Sequence, residues 1–290
     1  MAAAPSDDGP PRTLNALGGV GSGDGLRVAY GSGQLEVVLE GEQQLATEGL
    51  QPGARLAAGN HFALAVGSTV VSDVLAASSP GGSFVPWETI STFQSYGTVF
   101  STFTPPEALA GFSLFVTVSY TRPGDHVSVR ARVGVPEGTT EPVRLYWVGQ
   151  STLVGGTGWA SPDGVLTGAF APRGTDPVTY RALTAEKGLG EPFQYLVGPA
   201  ACPYLAVAEG CASGSGFVAA NADLPNAAGT VVDGPLAVAV EYGPLPAGRN
   251  DVGFELGFLT LAEPPVAPPP PPPTSTTLPD GSTTTTTAPD

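Results

Sequence analysis

The sequence predicts an all-β protein: a large antiparallel β-sandwich, supersandwich-like, with short turns. Three observations predict it. Between residues 15 and 262 apolar side chains recur with a period of two rather than 3.6. Glycine (40 residues) and proline (31 residues) are both frequent, which favours many turns and few long helices. On the order of a dozen alternating segments follow one another, as is typical of two packed antiparallel sheets.

The first hairpin is predicted over residues 26–40, "LRVAYGSGQLEVVLE", with its turn at residues 31–33. Two apolar triplets then face each other across the turn: Leu26, Val28 and Tyr30 against Leu35, Val37 and Leu39. A matching register of this kind fixes which face of the hairpin is buried.

The clearest hairpin lies within residues 111–135, with residues 122–125 as its turn. Counting outward from the turn places Val118 opposite Val129, so both apolar sets lie on one side. Residues 235–261 predict a further hairpin, in which the set Leu236, Val238, Val240 and Tyr242 faces the set Val252, Phe254, Leu256 and Phe258.

The remaining chain divides into a core region and two terminal segments. Segments 62–71, 96–103 and 142–148 supply further strands, and 155–230 is the least regular part, with one short helix expected near residues 184–189. We expect a flexible segment over 1–14, the sandwich over 15–262, and a disordered Pro/Thr-rich linker or stalk over 263–290, because that composition cannot bury a core.

Charge and cysteine content limit the function classes. A net charge of −15 argues against nucleic-acid binding, and no segment reaches the roughly 18 apolar residues of a membrane span. Cys202 and Cys211, the two cysteines, bracket a short span that predicts one local disulfide, with free thiols as the alternative. We therefore expect an extracellular or cell-wall location, with a signal peptide encoded upstream of Met1.

Three stretches carry a resemblance. Residues 243–258, "GPLPAGRNDVGFELGF", look like the closing hairpin of β-sandwich modules in bacterial surface proteins, and residues 143–156, "VRLYWVGQSTLVGG", look like a strand and turn of secreted bacterial all-β domains. The tail, "PPVAPPPPPPTSTTLPDGSTTTTTAPD", resembles the stalks of secreted actinobacterial surface proteins. The resemblance implies a fold and a location, and it transfers no catalytic residue.

Catalytic chemistry is the less favoured interpretation. The two histidines, His61 and His126, are too few for a zinc site, and no nucleophile-elbow motif is present. Paired carboxylates could hydrolyse glycosides; the candidates are Glu36, Glu40, Glu88, Glu241 and Glu255. Glu88 follows Trp87, and this pair indicates either a sugar contact or a loop anchor.

Calcium is the one metal that the sequence leaves open; no other cofactor is expected. Asp163 in "SPDG" and Asp223 in "NADLPN" lie in oxygen-rich loops, although neither loop has EF-hand spacing. Turn formation by the aspartate side chains is the alternative explanation of both.

Residues 144–159, "RLYWVGQSTLVGGTGW", hold two of the three tryptophans. Alternation places Trp147 on the core face and Tyr146 on the opposite, exposed face beside Arg144. The glycines at 155 and 156 predict the turn that ends the strand, which leaves Trp159 beyond it. Trp159 and Tyr146 are therefore the first candidates for a ligand platform.

These observations favour a non-catalytic extracellular or cell-surface module for binding, adhesion or structural display, with a glycan or another surface protein as its partner. A secreted carbohydrate-active enzyme that uses paired carboxylates is one alternative. A cell-surface component that self-assembles through its edge strands is another.

Overall fold

The computed structural model describes residues 15–17, 26–31, 34–39, 43–46, 61–73, 84–121, 126–160, 166–170, 178–182, 194–199, 216–228, 230–258, 275–277 and 283–285. These residues are almost entirely β-strand. The all-β sandwich predicted from the sequence is confirmed.

Twenty strands lie within the described residues: β1 Asn15–Leu17, β2 Leu26–Gly31, β3 Gln34–Leu39, β4 Gln43–Ala46, β5 His61–Val66, β6 Thr69–Val71, β7 Phe84–Val85, β8 Thr89–Ser95, β9 Thr98–Thr104, β10 Ser113–Ser119, β11 His126–Val135, β12 Val143–Ala160, β13 Leu166–Phe170, β14 Val178–Ala182, β15 Gln194–Pro199, β16 Ala227–Ala228, β17 Thr230–Tyr242, β18 Gly248–Phe258, β19 Ser275–Thr277 and β20 Thr283–Thr285. One 3-10 turn, Glu107–Leu109, and one short α-helix, α1 (Phe217–Ala220), complete the described elements.

Two packed layers form the sandwich. The first sheet has the strand order β8-β9-β10-β11-β18. The second sheet has the order β6-β5-β12-β17-β15. The layers are joined at one end, since β13 pairs with the end of β12, β14 pairs with β13, and β14 also pairs with β18.

The core lies between the two sheets and is built from alternate residues of each strand. Trp147 of the second sheet is fully buried, with its ring centroid 4.9 Å from that of Phe62 and 5.0 Å from that of Phe254 in the first sheet. The prediction that Trp147 belongs to the core is confirmed. Further core residues come from both layers: Leu64, Leu145 and Val240 from the second, and Val116, Val118, Val129, Val133 and Leu256 from the first.

Two predicted hairpins have the predicted register. Strands β2 and β3 pair with Val28 opposite Val37, as expected. Strands β10 and β11 pair with Val118 opposite Val129. Alternation sufficed in both cases because a shift of one residue would move every apolar side chain to the other face.

The predicted hairpin over residues 235–261 is wrong in its pairing. Strand β17 pairs with β12 and β15 in the second sheet, whereas β18 pairs with β11 and β14 in the first. The two strands face each other across the core, where the hydroxyl of Tyr242 donates to the carbonyl of Gly253 at 2.8 Å. Alternation identified the buried faces correctly, but the connection over residues 243–247 passes from one sheet to the other.

The glycines at 155 and 156 do not end a strand, which corrects a second prediction. Strand β12 runs from Val143 to Ala160, and its register with β17 shifts between Gln150 and Val154 and again between Val154 and Gly156. Glycine within a strand commonly marks such an irregularity rather than a turn. Trp159 therefore lies within β12, opposite Gly168 of β13.

The structure describes only part of the segments for which a flexible terminus, a stalk or a short helix was predicted. Within the Pro/Thr-rich segment 263–290 the structure describes one antiparallel pair, β19 with β20. The segment 1–14 and the helix expected near residues 184–189 lie outside the described residues.

Candidate binding surface

The outer face of the second sheet is covered. Helix α1 and the residues that follow it lie against this face, where Val218 and Leu224 pack on side chains of all five strands of the second sheet. The group that they cover is Ala63, Ala65, Val70, Tyr146, Val148, Leu196 and Ala239. The part of the second sheet around these residues is thus buried on both sides.

A polar cluster fixes this cover to the sheet. The Nε of Arg144 donates to Glu241 Oε1 at 2.9 Å and to Asp223 Oδ1 at 2.9 Å, and its Nη2 also donates to Asp223. Its Nη1 donates to the carbonyl of Asn221 at 2.8 Å. The second carboxylate oxygen of Glu241 accepts the backbone N–H of Leu224 at 2.6 Å, so the cluster links β12, β17 and the covering segment.

Burial controls the electrostatics of this cluster. Burial raises the pKa of Glu241 to about 7, against an ordinary value of 4.5, although the N–H of Leu224 and the guanidinium of Arg144 oppose that rise. Burial by itself would lower the pKa of Arg144, but the hydrogen bond and charge of Asp223, together with Glu241, raise it. Because the side chain of Glu241 is completely buried, the cluster serves to hold the cover in place.

Tyr146 is part of the same covered face, and the prediction that its ring is exposed is wrong. The residue is fully buried, and its hydroxyl donates to the carbonyl of Ala222 at 2.7 Å. Burial raises its pKa above the usual value. Alternation correctly placed Tyr146 away from the core face, but the segment that covers it comes 76 residues later in the chain.

No segment among the described residues covers the outer face of the first sheet, which we therefore call open, and three phenylalanines cross it. Phe93 of β8 stacks on Phe100 of β9 with ring centroids 5.7 Å apart and planes 20° apart. Phe100 stacks on Phe115 of β10 at 6.1 Å and 26°. Phe93 is 63% exposed, and Phe100 and Phe115 are half-buried. We call these three residues the phenylalanine ladder and this outer face the open face.

Hydroxyl groups surround the ladder. They alternate with core residues along the same three strands, and the exposed ones are Thr89, Ser91, Thr102, Thr104 and Ser113. The Oγ1 of Thr98 and the Oγ of Ser119 lie 3.2 Å apart on the same face. The open face therefore combines stacked rings with groups that both donate and accept hydrogen bonds.

Charged side chains continue the open face onto β11 and β18. The Nε of Arg132 donates to Asp251 Oδ1 at 2.7 Å, and the Nε of Arg249 donates to Asp251 Oδ2 at 2.5 Å. Partial burial alone would raise the pKa of Asp251, but the two arginines lower it below its ordinary value. His126, predicted to point outward, does so, and it lies 4.0 Å from Glu255.

The other residues predicted for a site do not come together here. Trp87 is 6% exposed and packs edge-on against Phe103 at 5.1 Å, with its backbone N–H bonded to Asp73 at 2.8 Å, so it has the contacts of a loop anchor. Glu88 is exposed and bonds through its backbone to Thr104. The carboxylate of Asp223 binds Arg144.

Several predicted residues lie outside what the structure describes. These are Glu40, Asp163, Cys202 and Cys211, together with the side chains of Glu36 and Trp159. Sequence reasoning also missed the phenylalanine ladder. Its signal was present at Phe115, an aromatic residue on the non-core face of "SLFVTVS".

Two features are absent from the described part of the chain. No helix there is both long and apolar enough to cross a membrane. No group of three or more histidine, cysteine, aspartate or glutamate side chains within it could hold a metal ion.

The fold and this surface define a β-sandwich domain with one covered sheet and one open sheet face. No protein-family model matches the chain, and no curated protein matches it. Among solved structures, the chain is similar to the heparan sulfate lyase HepC from Pedobacter heparinus, with 10% sequence identity and a TM-score of 0.45 over 83% of this chain. The match covers 34% of that lyase, so the chain spans about a third of its length.

Proposed function

We propose that this domain is an extracellular, non-catalytic binding module that holds a glycan on its open face. The observation that carries the proposal is the phenylalanine ladder, in which Phe93, Phe100 and Phe115 stack across three neighbouring strands. The composition of the chain and of its Pro/Thr-rich tail supports the extracellular location that we propose.

The ladder has the chemistry that a sugar ring needs. Because Phe100 stacks on a neighbouring ring on both sides, the ladder presents a continuous apolar surface made largely of ring edges. The C–H groups on one side of a pyranose can pack against such a surface, so that both leave water. The ladder crosses three strands, about 10 Å at the usual strand spacing. That length suits an oligosaccharide rather than a single sugar.

The surrounding hydroxyls supply directional contacts. Ser91 and Thr102 are register partners on β8 and β9, and both side chains are exposed beside the ladder. Serine and threonine hydroxyls donate and accept hydrogen bonds as sugar hydroxyls do. Contact with the rings would thus supply affinity, and the rows of hydroxyl groups would orient the bound glycan.

A glycan array tests the proposal directly. The wild-type domain should retain at least one class of glycan, and Phe100→Ala should weaken that binding about tenfold, equivalent to about 1.4 kcal/mol. Tyr96→Ala is the matched control, because Tyr96 is 98% exposed at the β8–β9 turn and takes no part in the ladder. Retention of no glycan, or equal binding by the ladder variant, would reject the proposal.

The non-catalytic part of the proposal needs its own measurement. Each retained glycan is incubated with the domain, and new reducing ends are counted. We expect none above the level without protein. A release of reducing ends that Glu255→Gln or Glu88→Gln abolishes would instead support a carbohydrate-active enzyme.

Self-assembly is a second candidate function, favoured by the edge of the first sheet. Within the described part of the chain β8 pairs with β9 alone. Its seven residues include no charged residue and no proline, the usual devices that protect an edge strand. Phe93 and Tyr96 are exposed on the same hairpin.

Sedimentation velocity over a hundredfold range of protein concentration tests this second candidate. Edge pairing predicts a dimer whose fraction rises with concentration and which Ser91→Lys removes, since a charge on the edge opposes strand addition. A monomer at every concentration would reject it without affecting the glycan proposal.

A further inference from the structure

Arg132 and Arg249 are held side by side by one carboxylate. Both donate through Nε, to the two different oxygens of Asp251. Their side chains are 45% and 62% exposed, respectively. Two positive charges thus share one negative charge at a fixed position on the open face.

Among the described residues, each of the two guanidinium groups is hydrogen-bonded to Asp251 alone. Arginine has five N–H groups in a planar fork, and only the Nε–H of each of these two side chains bonds to another described residue. The two Nη groups of a guanidinium match the spacing of two oxygens of a carboxylate or a sulfate. Asp251 therefore holds both guanidinium groups by Nε, and their Nη groups have the donor geometry that binds an oxyanion.

The arginine pair adjoins the phenylalanine ladder. Arg132 of β11 is the direct cross-strand partner of Phe115 of β10, and both side chains lie on the open face. Side chains opposite each other in this way have Cβ atoms about 5 Å apart. A substituent of a sugar ring stacked on Phe115 could reach the guanidinium of Arg132.

We infer that Arg132, Arg249 and Asp251 form an anion subsite, and that the glycan is an acidic one bearing carboxylate or sulfate groups. This inference rests on the proposed glycan-binding function and specifies its substrate class. Long-range attraction does not explain such binding, because the chain as a whole carries a net charge of −15. The contact must be short-ranged and must depend on these arginines.

Calorimetric titration with three polymers of one backbone tests the subsite. The probes are dextran, carboxymethyl dextran and dextran sulfate, matched in length. Tighter binding of either charged polymer than of dextran is expected, and the two charged probes distinguish a carboxylate ligand from a sulfate ligand.

Arginine variants assign the effect to the subsite. Arg132→Gln and Arg249→Gln should each weaken binding of the charged polymer about tenfold, as expected for loss of a charge-assisted bond pair, and leave dextran binding unchanged. Arg130→Gln is the matched control: it removes the same charge from the same face of β11, and its effect should stay below about twofold. Near-ultraviolet circular dichroism checks that each variant is folded.

The outcomes separate this inference from the proposed function. Equal binding of all three polymers, equal loss in Arg130→Gln, or binding of no polymer would each overturn the anion subsite. The glycan-binding proposal would stand or fall on the array alone.

Discussion

The carboxylate of Glu241 on β17 and the guanidinium of Arg144 on β12 form an ion pair of 2.9 Å in which the glutamate side chain has no exposed surface. Through Asp223 and Leu224 the same pair holds the segment after α1 against the second sheet. A buried pair of this kind makes stability sensitive to pH and to the loss of either partner.

We expect Glu241 to make the free energy of unfolding fall as the pH rises from about 4.5 to about 7. Its pKa is about 7 in the folded chain against an ordinary 4.5, so in this window the folded state holds a proton that the unfolded state releases. The full effect is at most about 3 kcal/mol. Urea denaturation across this range measures it, and the slope should be flatter in Glu241→Gln. An identical pH dependence in wild type and variant would contradict the expectation.

At a pH above the pKa of about 7 at which Glu241 ionises, Arg144→Met should lower the free energy of unfolding by about 3–5 kcal/mol, because it leaves the Glu241 carboxylate buried without its cation. The double variant Arg144→Met/Glu241→Gln should lose less than the sum of the single variants. Arg132→Met is the control: its ion pair with Asp251 is exposed, and its loss should cost no more than about 1 kcal/mol. Equal losses at positions 144 and 132 would show that burial of the pair is unimportant.

Gly243→Ala should destabilise the domain more than Gly248→Ala. Both glycines have positive φ, +152° and +102°, which costs an alanine on the order of 1–3 kcal/mol. At Gly243 an added Cβ would also lie 2.9 Å from the carbonyl of Val143 and 2.8 Å from Cγ of Arg144, whereas at Gly248 it would meet nothing within 4 Å. Thermal melting compares the two, and a larger loss at Gly248 would contradict the contact argument.

Trp147→Phe should cost no more than about 2 kcal/mol, clearly less than the roughly 3–5 kcal/mol expected for Phe254→Ala. The buried Nε1 of Trp147 has no hydrogen-bond partner among the described residues, so its removal recovers part of a desolvation cost. Denaturant titration measures both variants. A loss in Trp147→Phe as large as in Phe254→Ala would indicate that the indole N–H is satisfied.

Much of the fold could be predicted because side chains alternate between the two faces of a strand. Only two arrangements are therefore possible, one for each set of side chains that could face the core. Once Val118 faces inward, Val116 and Leu114 must do so as well, and the observed burial agrees. The alternation of side chains does not determine which two strands pair with each other. Strands β17 and β18 have the faces that were predicted but lie in different sheets, since the pairing depends on how the connection between them crosses the core.

The candidate surface was harder to predict, for a related reason. The exposure of Tyr146 depends on a segment 76 residues away, which local patterning cannot show. The phenylalanine ladder arises from three strands whose relative register brings Phe93, Phe100 and Phe115 together. Each phenylalanine by itself is an isolated aromatic residue on a polar face, and single exposed apolar side chains are common.

Strand β12 links the two layers of the sandwich mechanically. Its first half is hydrogen-bonded to β5 and β17, and its last residues are hydrogen-bonded to β13. Strand β13 pairs with β14, which in turn pairs with β18. Pulling one layer of the sandwich away from the other therefore requires breaking backbone hydrogen bonds in this series of paired strands. We expect the amide hydrogens of β5 and β11 to exchange with the same free energy of opening, as parts of a single cooperative unit.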